Sequence, residues 1–145
     1  DIESIKKQAE EYLNGWKRAK ADYLNLKKEI ESQNKEIKEW LSKIMLLPLL
    51  GIMDSFDKAF NTVSEDLKNT PWFIGIEGIK KQFEEYLKTQ GVESMVVKDE
   101  KFDPTKHEAV ESTEGDESGK VAEELQKGYL INSEVLRPAK VKVYK

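Results

Sequence analysis

The sequence predicts an α+β protein: a long N-terminal helix that pairs as a parallel dimer, two short helices forming half of a dimeric four-helix bundle, and a C-terminal small antiparallel β module. Three observations predict it. An apolar repeat stepping by three and four residues runs through the first 47 positions. Two shorter amphipathic segments follow, bounded by Pro48, Thr70-Pro71 and Gly91. From Val92 onward, short β-like runs alternate with turn residues. These boundaries divide the 145 residues into a coiled-coil-like helix (1–47), bundle helices (48–91) and a β domain (92–145).

The long helix rests on Ile2, Ile5, Ala9, Tyr12, Trp16, Ala19, Tyr23, Leu26, Ile30, Ile37, Trp40, Ile44 and Leu47, with Gln33 the single polar residue in that register. Thirteen apolar residues in these fourteen positions, in a chain that is 38% hydrophobic, make a heptad repeat rather than a chance pattern. At about 1.5 Å per residue it describes a rod of about 70 Å. A helix that long has no cover within so short a chain, so its seam is expected to meet a second copy in a homodimer. Ile30, Ile37 and Ile44 at a positions, with Leu26 and Leu47 at d, favour a parallel pair. Tyr12, Trp16, Tyr23 and Trp40 fit a tight zipper poorly, and Gly15 weakens the helix by about 1 kcal/mol relative to Ala. Seam filling accounts for these aromatics, and Trp40 is also a candidate for contact with another protein.

Pro48 removes a helical hydrogen bond and is expected to kink or end the rod. Beyond it, Leu49, Ile52, Met53, Phe56, Ala59, Phe60, Val63 and Leu67 mark one face of a second helix running to about Lys68. Thr70-Pro71 reads as an N-cap followed by proline at the first helical position. The third helix, about 71–90, places Trp72, Ile76, Ile79, Phe83, Tyr86 and Leu87 on its inner face and stops at Gly91. Two such helices make half of a four-helix bundle, and a dimer supplies the rest. The dimer interface is thus assigned to Ile30, Ile37, Ile44, Leu47, Phe56, Phe60, Ile79 and Phe83.

In the β module the runs are Val92–Val97, His107–Glu111, Val121–Leu125, Tyr129–Ile131, Val135–Leu136 and Ala139–Val143. The last puts Ala139, Val141 and Val143 on one face and Lys140 and Lys142 on the other. Ser112 to Gly119 reads as an exposed loop and Asn132-Ser133 as a hairpin turn. So small a module is expected to lean on the helices for its core.

Composition closes several functional classes. Without cysteine there is no disulfide, thiolate nucleophile or Cys-ligated metal, and the lone His107 cannot build a multi-histidine site, so no metal and no cofactor is expected. The longest apolar stretch, Ile44 to Met53, is interrupted by Pro48 and Gly51 and is far short of the roughly 20 residues of a membrane span. No signal peptide is visible. A soluble, cytoplasmic protein follows, its 36% charged residues and mean hydropathy of −0.69 marking a chain that keeps much of its length against water. Net charge is +1 over 1–47, −2 over 48–91 and −3 over 92–145, so no segment carries the basic excess that nucleic acid requires.

No constellation reads as an active site, and the chain is not expected to be an enzyme. No Gly-x-Ser-x-Gly elbow accompanies His107, which reads as a structural histidine bonded to the loop beside it. Asp99, Glu100 and Asp103 lack the spacing and closing glutamate of a calcium loop and read as solvated loop charge. Gly75 and Gly78 follow no strand and precede no Lys-Ser/Thr, so they reflect close helix approach or local flexibility rather than phosphate binding.

The C-terminal residues carry a resemblance. Phe102-Asp103-Pro104-Thr105-Lys106-His107-Glu108-Ala109-Val110, then Glu124-Leu125-Gln126-Lys127-Gly128-Tyr129, then Val135-Leu136-Arg137-Pro138-Ala139-Lys140-Val141-Lys142-Val143 closely resemble the signature of the GrpE family, nucleotide exchange factors of DnaK-type chaperones. Asn25-Leu26-Lys27-Lys28, and Leu49-Leu50 through Asp54-Ser55-Phe56-Asp57-Lys58-Ala59, fit as well, so the likeness covers essentially the whole chain. Ser133 stands where the family usually has Gly or an acid, Glu134 where a basic residue often follows, and Gly51 where a proline is usual, with Pro48 three residues earlier.

The resemblance implies a parallel homodimer whose β modules project like wings, and a single chaperone ATPase domain bound asymmetrically, its nucleotide cleft wedged open by the near module. It implies wing contacts at Phe102, Leu125 and Val143, rod contacts at Lys27, Lys28 and Trp40, and bundle contacts at Asn61 and Thr62. Gly78 matches a glycine that acts through helix geometry. The aromatic seam and Gly15 suggest a low-melting rod able to sense temperature. A coiled-coil scaffold or holdase binding unfolded proteins directly is the alternative.

Overall fold

The computed structural model describes residues 1–115 and 117–145. In order, the elements are α1 (Ile2–Asn61), α2 (Glu65–Lys68), α3 (Pro71–Thr89), β1 (Val92–Ser94), β2 (His107–Thr113), β3 (Val121–Gln126), β4 (Tyr129–Ile131), β5 (Glu134–Arg137) and β6 (Ala139–Tyr144). The class is α+β, as expected. The chain falls into two compact units, Asp1–Ser42 and Lys43–Lys145.

The first unit is helix alone. The Asp1 carboxylate accepts the Glu3 N–H at 3.3 Å and the Asp1 carbonyl accepts the Ile5 N–H at 3.1 Å, which satisfies two of the free donors of the first turn. Every residue from 1 to 41 is exposed, including the apolar register from Ile2 to Trp40.

The second unit begins inside α1, and here two expectations are corrected. Pro48 does not end the helix, which continues to Asn61. A proline inside a helix costs about 3 kcal/mol. Leu46, Leu50 and Met53, almost wholly buried on either side of it, each contribute roughly 1.5–3 kcal/mol, so packing outweighs the lost bond. The helix also stops before Lys68: Thr62 turns its hydroxyl onto the Ala59 carbonyl at 2.8 Å, and Ser64 is extended before the single turn of α2. Side-chain bonding of this kind offers the backbone an alternative to continuing the helix.

α3 begins as expected. The Thr70 side chain accepts the Phe73 N–H at 3.3 Å, with Pro71 at the first helical position. Gly91 follows the helix with φ of +80°, and a Cβ there would collide with the Asn132 side chain. The inner face differs from the expected one. Phe73 and Leu87 are buried and Ile76 and Phe83 half-buried, while Trp72, Ile79 and Tyr86 stand exposed. α3 carries two apolar stripes, and the chain covers the one through Phe73 and Leu87.

The strands form two three-stranded sheets, ordered β1-β4-β5 and β2-β6-β3. The first is antiparallel. In the second, β6 is antiparallel to β3 but parallel to β2, so the module is mixed rather than purely antiparallel. A parallel pair needs a long connection, and the chain from β3 through β5 provides it. Asn132 and Ser133, with φ of 48° and 70°, form the expected two-residue hairpin turn between β4 and β5. The expected loop from Ser112 to Gly119 is corrected at its start, where Ser112 and Thr113 pair within β2. Its residue 116 lies outside the described residues.

Two apolar clusters fill this unit. One joins Leu46, Leu50 and Met53 of α1 and Leu87 of α3 to Val92, Tyr129 and Ile131 of the first sheet. The other, Met95, Val97, Val121, Ala139 and Val141, lies within the β module. The module leans on the helices through the first cluster.

Candidate functional site

A groove of about 560 Å³ opens where the last turns of α1 meet β3, lined from α1 by Asp54, Asp57, Lys58, Phe60 and Asn61, and from β3 by Glu124, Leu125 and Gln126. Lys80 of α3 and Lys140 of β6 complete its charged wall. Two expected contact residues, Asn61 and Leu125, are therefore brought to one groove although 64 positions separate them in the chain.

Charge pairing builds this junction. Arg137 Nη1 donates to Asp54 Oδ2 at 2.7 Å and Nη2 to Asp54 Oδ1 at 2.8 Å, a bidentate pair with both side chains mostly buried. The same guanidinium donates to the Lys127 carbonyl from Nε at 3.2 Å and Nη2 at 2.6 Å, and lies 5.2 Å from the centre of the Tyr129 ring. Gln126 adds a third bond to Asp54, at 3.0 Å. One helical turn on, Asp57 pairs with Lys80 at 3.0 Å and Lys127 at 3.6 Å. Paired ionised groups that also satisfy each other's hydrogen bonds are how charge survives away from water.

Two groups at the junction are less well served. One carboxylate oxygen of Glu124 is shut off from solvent without a partner. Burial pushes its pKa up, the Asp57 charge adds to this, and Lys127 only partly offsets it. Burial also holds the Tyr129 phenol up at about 12, with the Asp57 charge acting in the same direction.

The remaining expected contacts are dispersed. Phe102 and Val143 are half-buried, packed against the β-module cluster with part of each side chain still accessible. Thr62 is exposed and caps the end of α1. Lys27, Lys28 and Trp40 are exposed on the first unit. Of the residues assigned to the dimer interface, Ile30, Ile37, Ile44, Leu47 and Ile79 are exposed on the single chain. Phe56, Phe60 and Phe83 are half-buried, with Phe56 edge-on to Phe60 at 6.1 Å. A Cβ on Gly75 or Gly78 would meet nothing within 4 Å, so neither marks a close approach within this chain.

His107 is structural, as its setting suggested. It is buried, and its Nδ1 accepts the Asp103 N–H at 3.0 Å. Asp103 takes the Thr105 N–H and hydroxyl at 2.9 and 2.6 Å, and the Thr105 hydroxyl is the main cause holding the Asp103 pKa below its ordinary value. Among the described residues, no group of three His, Cys, Asp or Glu side chains could hold a metal ion, and no helix is long and apolar enough to cross a membrane.

Sequence reasoning did not single out Asp54, Arg137, Gln126 or the Asp57–Lys80 pair as a site. Asp54 and Arg137 each sit in a segment that carries the resemblance, but no spacing rule joins residues 83 positions apart.

The family model described as GrpE matches residues 1–145. Protein GrpE of Brevibacillus choshinensis is 34% identical over 140 residues, covering 95% of this chain and 78% of the relative. Protein GrpE of Alkaliphilus oremlandii is 36% identical over 140 residues, covering 95% and 74%. That of Bacillus subtilis is 32% identical over 144 residues, covering 98% and 77%.

Proposed function

The chain belongs to the GrpE family, and on that premise we propose that it is a nucleotide exchange factor for a DnaK-type chaperone, binding the ATPase domain and opening its cleft so that ADP leaves, ATP rebinds and client is released. The observation that carries this reading is the extent of the family match, residues 1–145, which takes in the helices and the β module alike. The groove that gathers Asn61 and Leu125 supports a contact surface drawing on both.

The mechanism is linkage and involves no bond-making by this chain, which acts in the cytoplasm without cofactor, nucleic acid or membrane. A partner that binds the open ATPase domain more tightly than the closed ADP form must weaken ADP, and nucleotide weakens the partner by the same factor. A thousandfold shift takes about 4 kcal/mol of differential contact, within reach of a few interface hot spots. Phe102, Leu125 and Val143 supply these from the β module, Asn61 and Thr62 from the bundle, and Lys27, Lys28 and Trp40 from the long helix.

The working unit is a parallel homodimer, supported by the exposed apolar register of α1. The long helix doubles as a thermosensor. Circular dichroism should then show a low transition separate from the melting of the rest, and a single high transition overturns the sensor.

Stopped-flow release of a fluorescent ADP analogue from a DnaK-type chaperone tests the exchange reading. Release should accelerate with this protein present, and ATP should dissociate the complex. Unchanged release, or a complex equally stable with ATP, overturns it. The exposed Tyr12, Trp16, Tyr23 and Trp40 favour a second reading, a scaffold or holdase. That reading predicts suppressed aggregation of an unfolded client and no effect on ADP release.

A further inference from the structure

Arg137 spends its guanidinium on two segments at once. It grips Asp54 of α1 with two bonds and the carbonyl of Lys127, between β3 and β4, with two more. Gln126, at the end of β3, reaches the same Asp54 carboxylate at 3.0 Å. A single helical carboxylate thus takes three bonds from two strands, and Leu125 is the next residue to Gln126.

The apolar cluster joining α1 to the first sheet already holds the module on the helix. Apolar contact is non-directional, whereas a planar fork on a carboxylate admits one orientation. A mostly buried ion pair adds little net stability over an apolar replacement, so its value here lies in the angle it imposes.

We propose that the Asp54–Arg137 clamp is a positioning device that fixes β3, and with it Leu125, against the end of α1, so that Leu125 and Asn61 meet a partner as one surface. The effect on exchange rests on the reading proposed above; the effect on orientation does not.

The test uses R137Q and the near-isosteric D54N in the full chain, each first shown to be folded by circular dichroism. The chain has no cysteine, so S55C in α1 and E108C in β2 accept a unique pair of spin labels. Labelled chain is diluted into excess unlabelled chain to remove inter-subunit pairs. The parent should give one narrow distance distribution, and both variants should broaden it. At saturating protein, the maximal acceleration of ADP release should fall about tenfold in R137Q while the half-saturating concentration moves less than about threefold, since contacts outside the β module still form the complex. The double variant should be no worse than R137Q alone, as coupled residues require.

Narrow distributions in both variants overturn the proposal, whatever happens to exchange. Broadening with an unchanged ceiling overturns it too. If the parent fails to accelerate release, the exchange reading falls, and the distance measurement alone decides whether the clamp fixes the module.

Discussion

Glu124 lies in the groove with one carboxylate oxygen hidden from water and without a partner. Its pKa is raised, first by burial, so the folded chain holds this proton more tightly than the unfolded chain does. Stability is therefore lost as pH rises from the ordinary value of 4.5 through the folded one, and is unaffected by this group below both. Glu124→Gln removes the ionisation. It should raise the thermal midpoint at pH 7, and the gain should vanish in acid; denaturation at both pH values checks this, and a variant weaker at pH 7 would show that the carboxylate makes a bond in solution. Tyr129 behaves in the same sense at the other end of the scale. With its phenol at about 12 instead of 10, the neutral ring contributes stability that is present below 10 and lost as pH climbs toward 12. One of the five tyrosines should thus titrate late in ultraviolet difference spectra, and Y129F should delete that phase. An unchanged late phase in Y129F would assign it to another ring. Burial is the larger cause of both shifts, and the Asp57 charge from α1 adds to each. His107 was legible as structural because its lone ring sits in a run of turn residues, whereas Glu124 was not, because its cost comes from what another element places over it.

Among the elements, α1 shows how far a local signal can be overruled. A proline reads as a break, yet Leu46, Leu50 and Met53 bury themselves on both sides of Pro48 and carry the helix through. Because Pro48 is itself exposed, Pro48→Ala restores a backbone bond without emptying the core. The substitution should stabilise the protein by about 1–3 kcal/mol, read from denaturant unfolding, and a loss of stability would mean that the ring rather than the helix matters there. The strands were legible wherever their signal was local: the alternation of Ala139, Val141 and Val143 with Lys140 and Lys142 marks β6, and Asn132-Ser133 marks the turn before β5. The parallel pairing of β2 with β6 was not, since nothing within either strand says which neighbour it takes across 32 residues from His107 to its partner Ala139. The clamp was hidden for the same reason. Arg137 follows Leu136 in a run that reads as strand, and Asp54 looks like any solvent-side helical acid until the fold puts them 2.7 Å apart. Phe73 was missed differently, because α3 carries two apolar stripes and periodicity alone does not say which one its own chain will cover.

For the molecule as a whole, the proposed second copy rests on apolar residues that each unit leaves uncovered. Ile30, Ile37, Ile44 and Leu47 repeat along α1, and Trp72, Ile79 and Tyr86 repeat along the uncovered stripe of α3, all at least 41% exposed. A stable interface buries about 1,600 Å² in total, about half of it from each chain. Sedimentation at micromolar concentration should therefore give twice 16.7 kDa. Ile37→Lys places a charge at the centre of the proposed seam, once from each copy, where an unpaired buried charge costs about 3–5 kcal/mol. It should weaken association at least about a hundredfold. Gly15→Ala, where an added Cβ meets nothing within 4 Å, should instead stabilise the long helix by about 1 kcal/mol per chain and so raise its melting temperature. The two substitutions separate pairing from helix strength: if both leave the mass unchanged while only Gly15→Ala shifts the melting, α1 is not the seam and association must run through the stripe on α3. A parent that sediments as a monomer removes the dimer altogether, and with it the reason for an apolar register kept through thirteen positions of an otherwise charged helix.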